Sequence, residues 1–94
     1  MDYISIDVVG TVVSTPIRKG RLFTFELENR RGDVVSPFHV IVRDEAPIDV
    51  NEGDRVFIGK AGFFVKNDTN NLAVVEGSNL EVIRKRCNLG IEEV

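Results

Sequence analysis

A chain of 94 residues, 43% hydrophobic and 29% charged, has the length and balance of one globular domain and excludes a disordered polypeptide. No apolar run approaches the roughly 18 residues of a membrane helix, and the start, Met-Asp-Tyr-Ile-Ser-Ile-Asp, lacks the basic and apolar parts of a signal peptide. One cysteine (Cys87) and one histidine (His39) exclude an intrachain disulfide and a zinc set, so the expectation is a cytoplasmic domain without cofactor, metal or membrane.

The chain then breaks into short runs rich in β-branched and aromatic residues, punctuated by Gly, Pro, Asn and Asp. Ile4–Ser14 is the first run, and Gly10 inside it marks a bulge or a tight bend. Thr15–Gly20 reads as a turn or loop. Leu22–Asn29 alternates, with Phe23, Phe25 and Leu27 on a core face and Thr24, Glu26 and Glu28 on the other. Arg30–Asp33 is a turn and Val34–Arg43 the third run. Asp44–Gly53 holds Pro47 and an Asn-Glu-Gly-Asp turn. Arg55–Lys66 is the fourth run, broken by Gly59 and Gly62, with Gly62 a candidate bulge. Asn67–Asn71 is a polar turn, and Leu72–Glu76 with Leu80–Ile83 supplies the last strand material. No helical period lasts ten residues; only the tail after Leu80 has room for a short helix.

Five strands with turns about every ten residues predict an all-β domain, a small closed or partly open five-stranded barrel with little or no helix. Closure removes the edges that a small open sheet exposes. Residues 1–86 form this single domain and 87–94 a short C-terminal tail.

The residues Val9-Gly10-Thr11-Val12, then Phe23-Thr-Phe-Glu-Leu, resemble the opening of an oligonucleotide-binding (OB) fold, a Greek-key barrel. Ser36-Pro-Phe-His-Val-Ile-Val-Arg, then Gly-Asp-Arg-Val-Phe-Ile-Gly (53–59), then Asn79-Leu-Glu-Val-Ile extend the likeness to residues 4–83. In this order they resemble bacterial-type single-stranded DNA-binding proteins. The chain departs from that family in three ways: Asp44–Glu52 has room for a turn where the family has a helix, no tryptophan is present, and Gly90–Val94 is at most a stub of the family's acidic tail.

The resemblance implies binding groups on the second and third strands and in the loops after strands 1 and 4, here Thr15–Arg21 and Lys66–Asn71. Stacking faces for bases and cations for phosphates are the chemistry a single strand requires. Arg18, Lys19 and Arg21 in the first loop are the phosphate candidates, within residues 15–31 where five cations face two carboxylates. Phe38 occupies a position similar to a base-stacking aromatic of the family, whereas its parity with Val40 and Val42 points it into the core. Alternation turns Phe57 outward between Val56 and Ile58. Of the adjacent Phe63 and Phe64, one must face out, and Lys60 and Lys66 flank them; Phe64 is the site candidate. A second basic cluster is Arg84-Lys85-Arg86.

Against this stand Glu26 and Glu28, two carboxylates on the face where the family binds DNA. His39 has no Ser or Cys partners for a triad and reads as a hydrogen-bonded structural residue. The acidic pairs Asp44 and Glu45, or Asp68 and Glu76, read as ordinary turn residues, and Asn67-Asp68-Thr69, though a glycosylation sequon, as turn chemistry. Cys87 reads as an inert thiol. The expectation is a non-catalytic protein that binds single-stranded DNA, or RNA, with little sequence specificity, and that forms a homo-oligomeric dimer or tetramer. The alternative is an OB-fold protein–protein subunit of a replication or repair assembly.

Overall fold

The structure, a computed structural model, describes residues 4–75 and 79–84. Its strands are β1 (Ile4–Val12), β2 (Ile17–Lys19), β3 (Leu22–Arg31), β4 (Val34–Arg43), β5 (Arg55–Lys66), β6 (Thr69–Val74) and β7 (Leu80–Arg84), and the described residues hold no α-helix. The hydrogen-bonded order is β1-β3-β4-β6-β5, and β1 pairs with β5 to close the ring. β4 and β6 run parallel, from His39↔Asn71 to Val42↔Val74, while the other barrel pairs are antiparallel. This is the five-stranded barrel that the alternating runs predict, and it is consistent with the OB-like architecture that the resemblance implies.

Two further strands correct the expected count of five. β2 arises inside the segment read as a loop: Ile17, Arg18 and Lys19 pair with Thr24, Phe23 and Leu22 across a Gly20-Arg21 turn. Gly20 supplies the left-handed backbone of that turn at φ 61°. Three residues are too few to show a strand period, so the sequence pattern conceals it. The last strand material divides in two. β6 pairs with residues 62–66 of β5, and β7 takes the stretch of the same strand from Arg55 to Ile58.

Alternation sets the core. Phe23, Phe25 and Leu27 are buried as expected, against Val40 and Val42 of β4, Val56 and Ile58 of β5, and Leu72 and Val74 of β6. Phe23 and Phe25 meet edge to face at 6.0 Å between centroids. The segment 44–54 has no helix, in line with its length, and instead places Val50 in the core with Ile48 packed against it. It is anchored to β1 by the Val12 amide donating to the Asp54 carbonyl (2.9 Å) and the Gly53 amide to the Val12 carbonyl (2.8 Å). The Asp54 carboxylate, 1% exposed, accepts from the Asn51 amide at 2.9 Å, which satisfies the turn from inside.

The bend that lets β5 serve both ends of the barrel is a bulge at Gly59-Lys60, not at Gly62. Ile6 pairs with Ala61 and Val8 with Ile58, so Asp7 alone faces two residues. Lys60 takes φ 52°, and the Asp7 carboxylate accepts its amide at 2.9 Å. Gly62 stays in register with Ser5 and Ala73. Beyond the bulge Phe63 packs against the core, and Phe64 faces out.

Candidate nucleic-acid interface

OB folds bind along the outer face of their second and third strands and with the loops after the first and fourth. In this chain those are β3, β4, residues 13–21 and the turn at Asn67-Asp68. The outer face pairs Thr24 with Ile41, Glu26 with His39 and Glu28 with Pro37. Glu26 is exposed and Glu28 half-buried there, as the alternation predicts. His39 is hydrogen-bonded, its Nδ1 2.6 Å from the Glu26 carboxylate. A carboxylate accepts only, so Nδ1 carries the hydrogen of this contact.

Beside that pair runs a groove of about 410 Å³ between β4 and the β5–β6 hairpin. His39 and Ile41 form one wall, Phe64 and Lys66 the other, and Asn67, Thr69 and Asn71 complete it. The hairpin turns on Asn67 and Asp68, at φ 52° and 60°, the left-handed pair that Asn and Asp tolerate best. Register sets the chemistry: Asn71 pairs with His39 on one side and Phe64 on the other, placing the three side chains in one row across three strands.

The structure does not gather the eight candidate residues into one site. Phe64 and Lys66 share the groove. Phe38 faces inward, registered with buried Leu27 and packed edge to face on Phe63 at 6.2 Å. Strand parity therefore decides its position, and it offers no free face beside His39. Phe57, half-buried, and Lys60 lie elsewhere, around a second groove of about 250 Å³ with Asp7, Gly59, Asn79 and Glu81. The Phe57 ring covers Gly59, where an added Cβ would lie 3.1 Å from it. Two carboxylates make that groove a poor phosphate site.

The three cations of the first loop differ in use. The Arg18 guanidinium donates to the carbonyls of Gly20 (3.1 Å), Asp44 (2.7 Å) and Ala46 (2.7 Å) and stands 5.4 Å from the Phe23 ring centroid. It fastens β2 to the start of the β4–β5 connection. Arg21 pairs with Glu45 at 3.2 Å, both exposed, and Lys19 is exposed on β2. Arg18→Ala is accordingly expected to cost about 1 kcal/mol of stability. It should leave the salt dependence of any nucleic-acid binding unchanged. Urea denaturation checks the first part and a salt titration the second; a flattened slope would return Arg18 to the phosphate contacts.

The resemblance pointed to the third strand and to Lys66–Asn71, but sequence reasoning singled out none of Ile41, Thr69 and Asn71 as groove residues. Each sits in an ordinary strand or turn pattern, and only the parallel β4–β6 pairing brings them together. Among the described residues no group of three or more His, Cys, Asp or Glu side chains is arranged to hold a metal ion, and no helix is long and apolar enough to cross a membrane. The readings on Glu76, Lys85, Arg86, Cys87 and the tail 87–94 lie outside the described residues. Compared with protein-family models, curated proteins and solved structures, the chain finds no match.

Proposed function

We propose that the chain is a non-catalytic, cytoplasmic single-stranded DNA-binding module, as the resemblance of residues 4–83 implies. The groove between β4 and the β5–β6 hairpin carries the reading: an outward aromatic, Phe64, and an exposed cation, Lys66, stand together on an OB barrel, next to its binding strands. A base stacks on Phe64 while its phosphate meets Lys66, and Lys19 continues the track at the far edge of β3. His39 engages the Glu26 carboxylate, so one of the two opposing carboxylates on the face is already occupied.

The test is fluorescence anisotropy of labelled oligothymidylate at low and at near-physiological salt, with a duplex and an RNA of equal length as controls. Binding of the single strand that weakens with salt is the expected result. Lys66→Ala and Lys19→Ala should each flatten the log–log slope by about 0.7, one phosphate for a single strand. Absence of binding at low salt overturns the reading. It would favour an OB-fold protein-interaction subunit of a replication or repair assembly, a role for which Val34, 64% exposed at the tip of the β3–β4 hairpin, offers apolar surface.

A homo-oligomer belongs to the same proposal. From Ile4 to Gly10, β1 pairs with β5 alone, and β3 joins it only at Thr11 and Val12. On the other edge the Val9 carbonyl accepts from the Asn29 amide side chain at 2.8 Å, and Ile4 is 62% exposed. An edge so little covered is a template for strand pairing with a second copy. Sedimentation is expected to give a dimer or tetramer at tens of micromolar; a monomer there rejects the oligomer.

A further inference from the structure

We infer that the groove beside Phe64 is a guanine subsite within the single-strand-binding surface, an inference that rests on the function proposed above. It starts from Asn71, which is 7% exposed and lines the groove. The Asn71 Nδ2 donates to the Thr69 carbonyl at 2.9 Å. A carbonyl only accepts, so this contact fixes the orientation of the amide and leaves Oδ1 as the other end. No protein donor reaches Oδ1, and no buried side-chain oxygen or nitrogen of the described residues lacks a partner, so Oδ1 is open to solvent. It is a rigidly held acceptor in a groove.

A second acceptor stands beside it. With the His39 Nδ1 hydrogen directed at Glu26, Nε2 is the ring nitrogen left over, and in the neutral ring it accepts. His39 and Asn71 are register partners on adjacent strands, about 4.8 Å apart at the backbone. Phe64 is the partner of Asn71 on the next strand and supplies the stacking surface.

A pair of neighbouring acceptors selects among bases. Guanine presents two adjacent donors on its Watson–Crick edge, N1–H and the 2-amino group. Thymine presents one N–H between two carbonyls, and adenine and cytosine each an amino group beside an acceptor nitrogen. Every base but guanine therefore sets at least one lone pair against Asn71 or His39 when its edge meets both. Single strands expose these edges, which a duplex hides.

The test uses labelled strands of about 15 nucleotides: oligothymidylate, and the same strand with isolated guanines, adenines or deoxyinosines, spaced so that no quadruplex forms. The guanine strand is expected to bind about tenfold more tightly than the thymine or adenine strand. Deoxyinosine, which keeps N1–H and lacks the 2-amino group, should fall between them. Asn71→Leu, with its fold verified by circular dichroism, should abolish the preference, so that guanine and thymine strands bind alike.

Equal affinity for guanine, adenine and thymine strands overturns the guanine subsite and leaves single-strand binding standing. Binding to none of them overturns the parent reading instead. A guanine preference that survives in folded Asn71→Leu removes Asn71 from the subsite. The deoxyinosine comparison is made on the unaltered protein, so it decides the matter even where the variant fails to fold.

Discussion

Gly10→Val is expected to lower the stability of the barrel by about 3 kcal/mol, the upper end for overpacking a filled interior. A Cβ at this position would lie 2.6 Å from the Glu28 carbonyl oxygen and 2.9 Å from the Leu27 side chain. The first of these is backbone of the neighbouring strand and has no rotamer to move into. Thr11 and Glu28 are the first register partners of β1 and β3, so the clash falls where the ring begins to close along that seam. Spreading the two strands would also loosen Leu27, which is fully buried. In a domain of this size such a loss lowers Tm by more than about 10 °C. Gly20 gives the contrast, because an added Cβ there meets nothing within 4 Å and only its φ of 61° resists substitution. Thermal and urea denaturation followed by far-ultraviolet circular dichroism measure the effect. A Tm equal to that of the parent protein would show that β1 and β3 do not approach as described.

Phe64→Ala is expected to weaken single-strand binding by about 1–3 kcal/mol, the usual contribution of one base–aromatic stack. Phe64 is half-buried on the wall of the groove, so the barrel should remain folded. Phe38→Ala should do the opposite. Its ring packs on Phe63 and against the core, and its truncation removes that packing, so stability falls while the groove keeps its stacking face. Anisotropy with oligothymidylate, paired with a melting curve for each variant, separates the two. Loss of binding in a fully stable Phe38→Ala, with Phe64→Ala unaffected, would move the stacking platform to the other face of β4.

Much of the fold is legible because its signals are local. Phe23, Phe25 and Leu27 announce the core face of β3 by period alone, and Asn67-Asp68 announces the hairpin turn by its tolerance of left-handed backbone. Gly10, read as a bulge or bend, instead stays in register with Val56, and what the position requires is room for the Glu28 backbone. The short β4–β5 connection shows in the sequence that no helix fits. Phe38 is the instructive case among the site residues. Alternation with Val40 and Val42 points it inward, the position suggested by resemblance points it outward, and the register partner Leu27 decides for alternation.

The rest was not legible because it depends on register between distant segments. Nothing within Thr15–Gly20 shows that Arg18 reaches the carbonyls of Asp44 and Ala46; that follows only when β2 folds onto β3. The sequence offers Gly62 as the bulge in β5, but the bulge lies at Gly59-Lys60, set by Asp7, whose carboxylate takes the Lys60 amide from across the sheet.

From the sequence by itself come the all-β class, the division into the long strand runs, the core face of β3, and the exclusion of an intrachain disulfide and of Cys/His zinc chemistry. These follow from side-chain periodicity, backbone freedom and residue counts, which need no long-range partner. The tertiary structure alone decides that β4 and β6 lie parallel and so set His39, Asn71 and Phe64 in one row, while Phe57 and Lys60 fall to a separate groove. The physical reason is that closing the barrel must bury both faces of the core at once. One register of strands far apart in the chain meets that demand, and no local pattern encodes it.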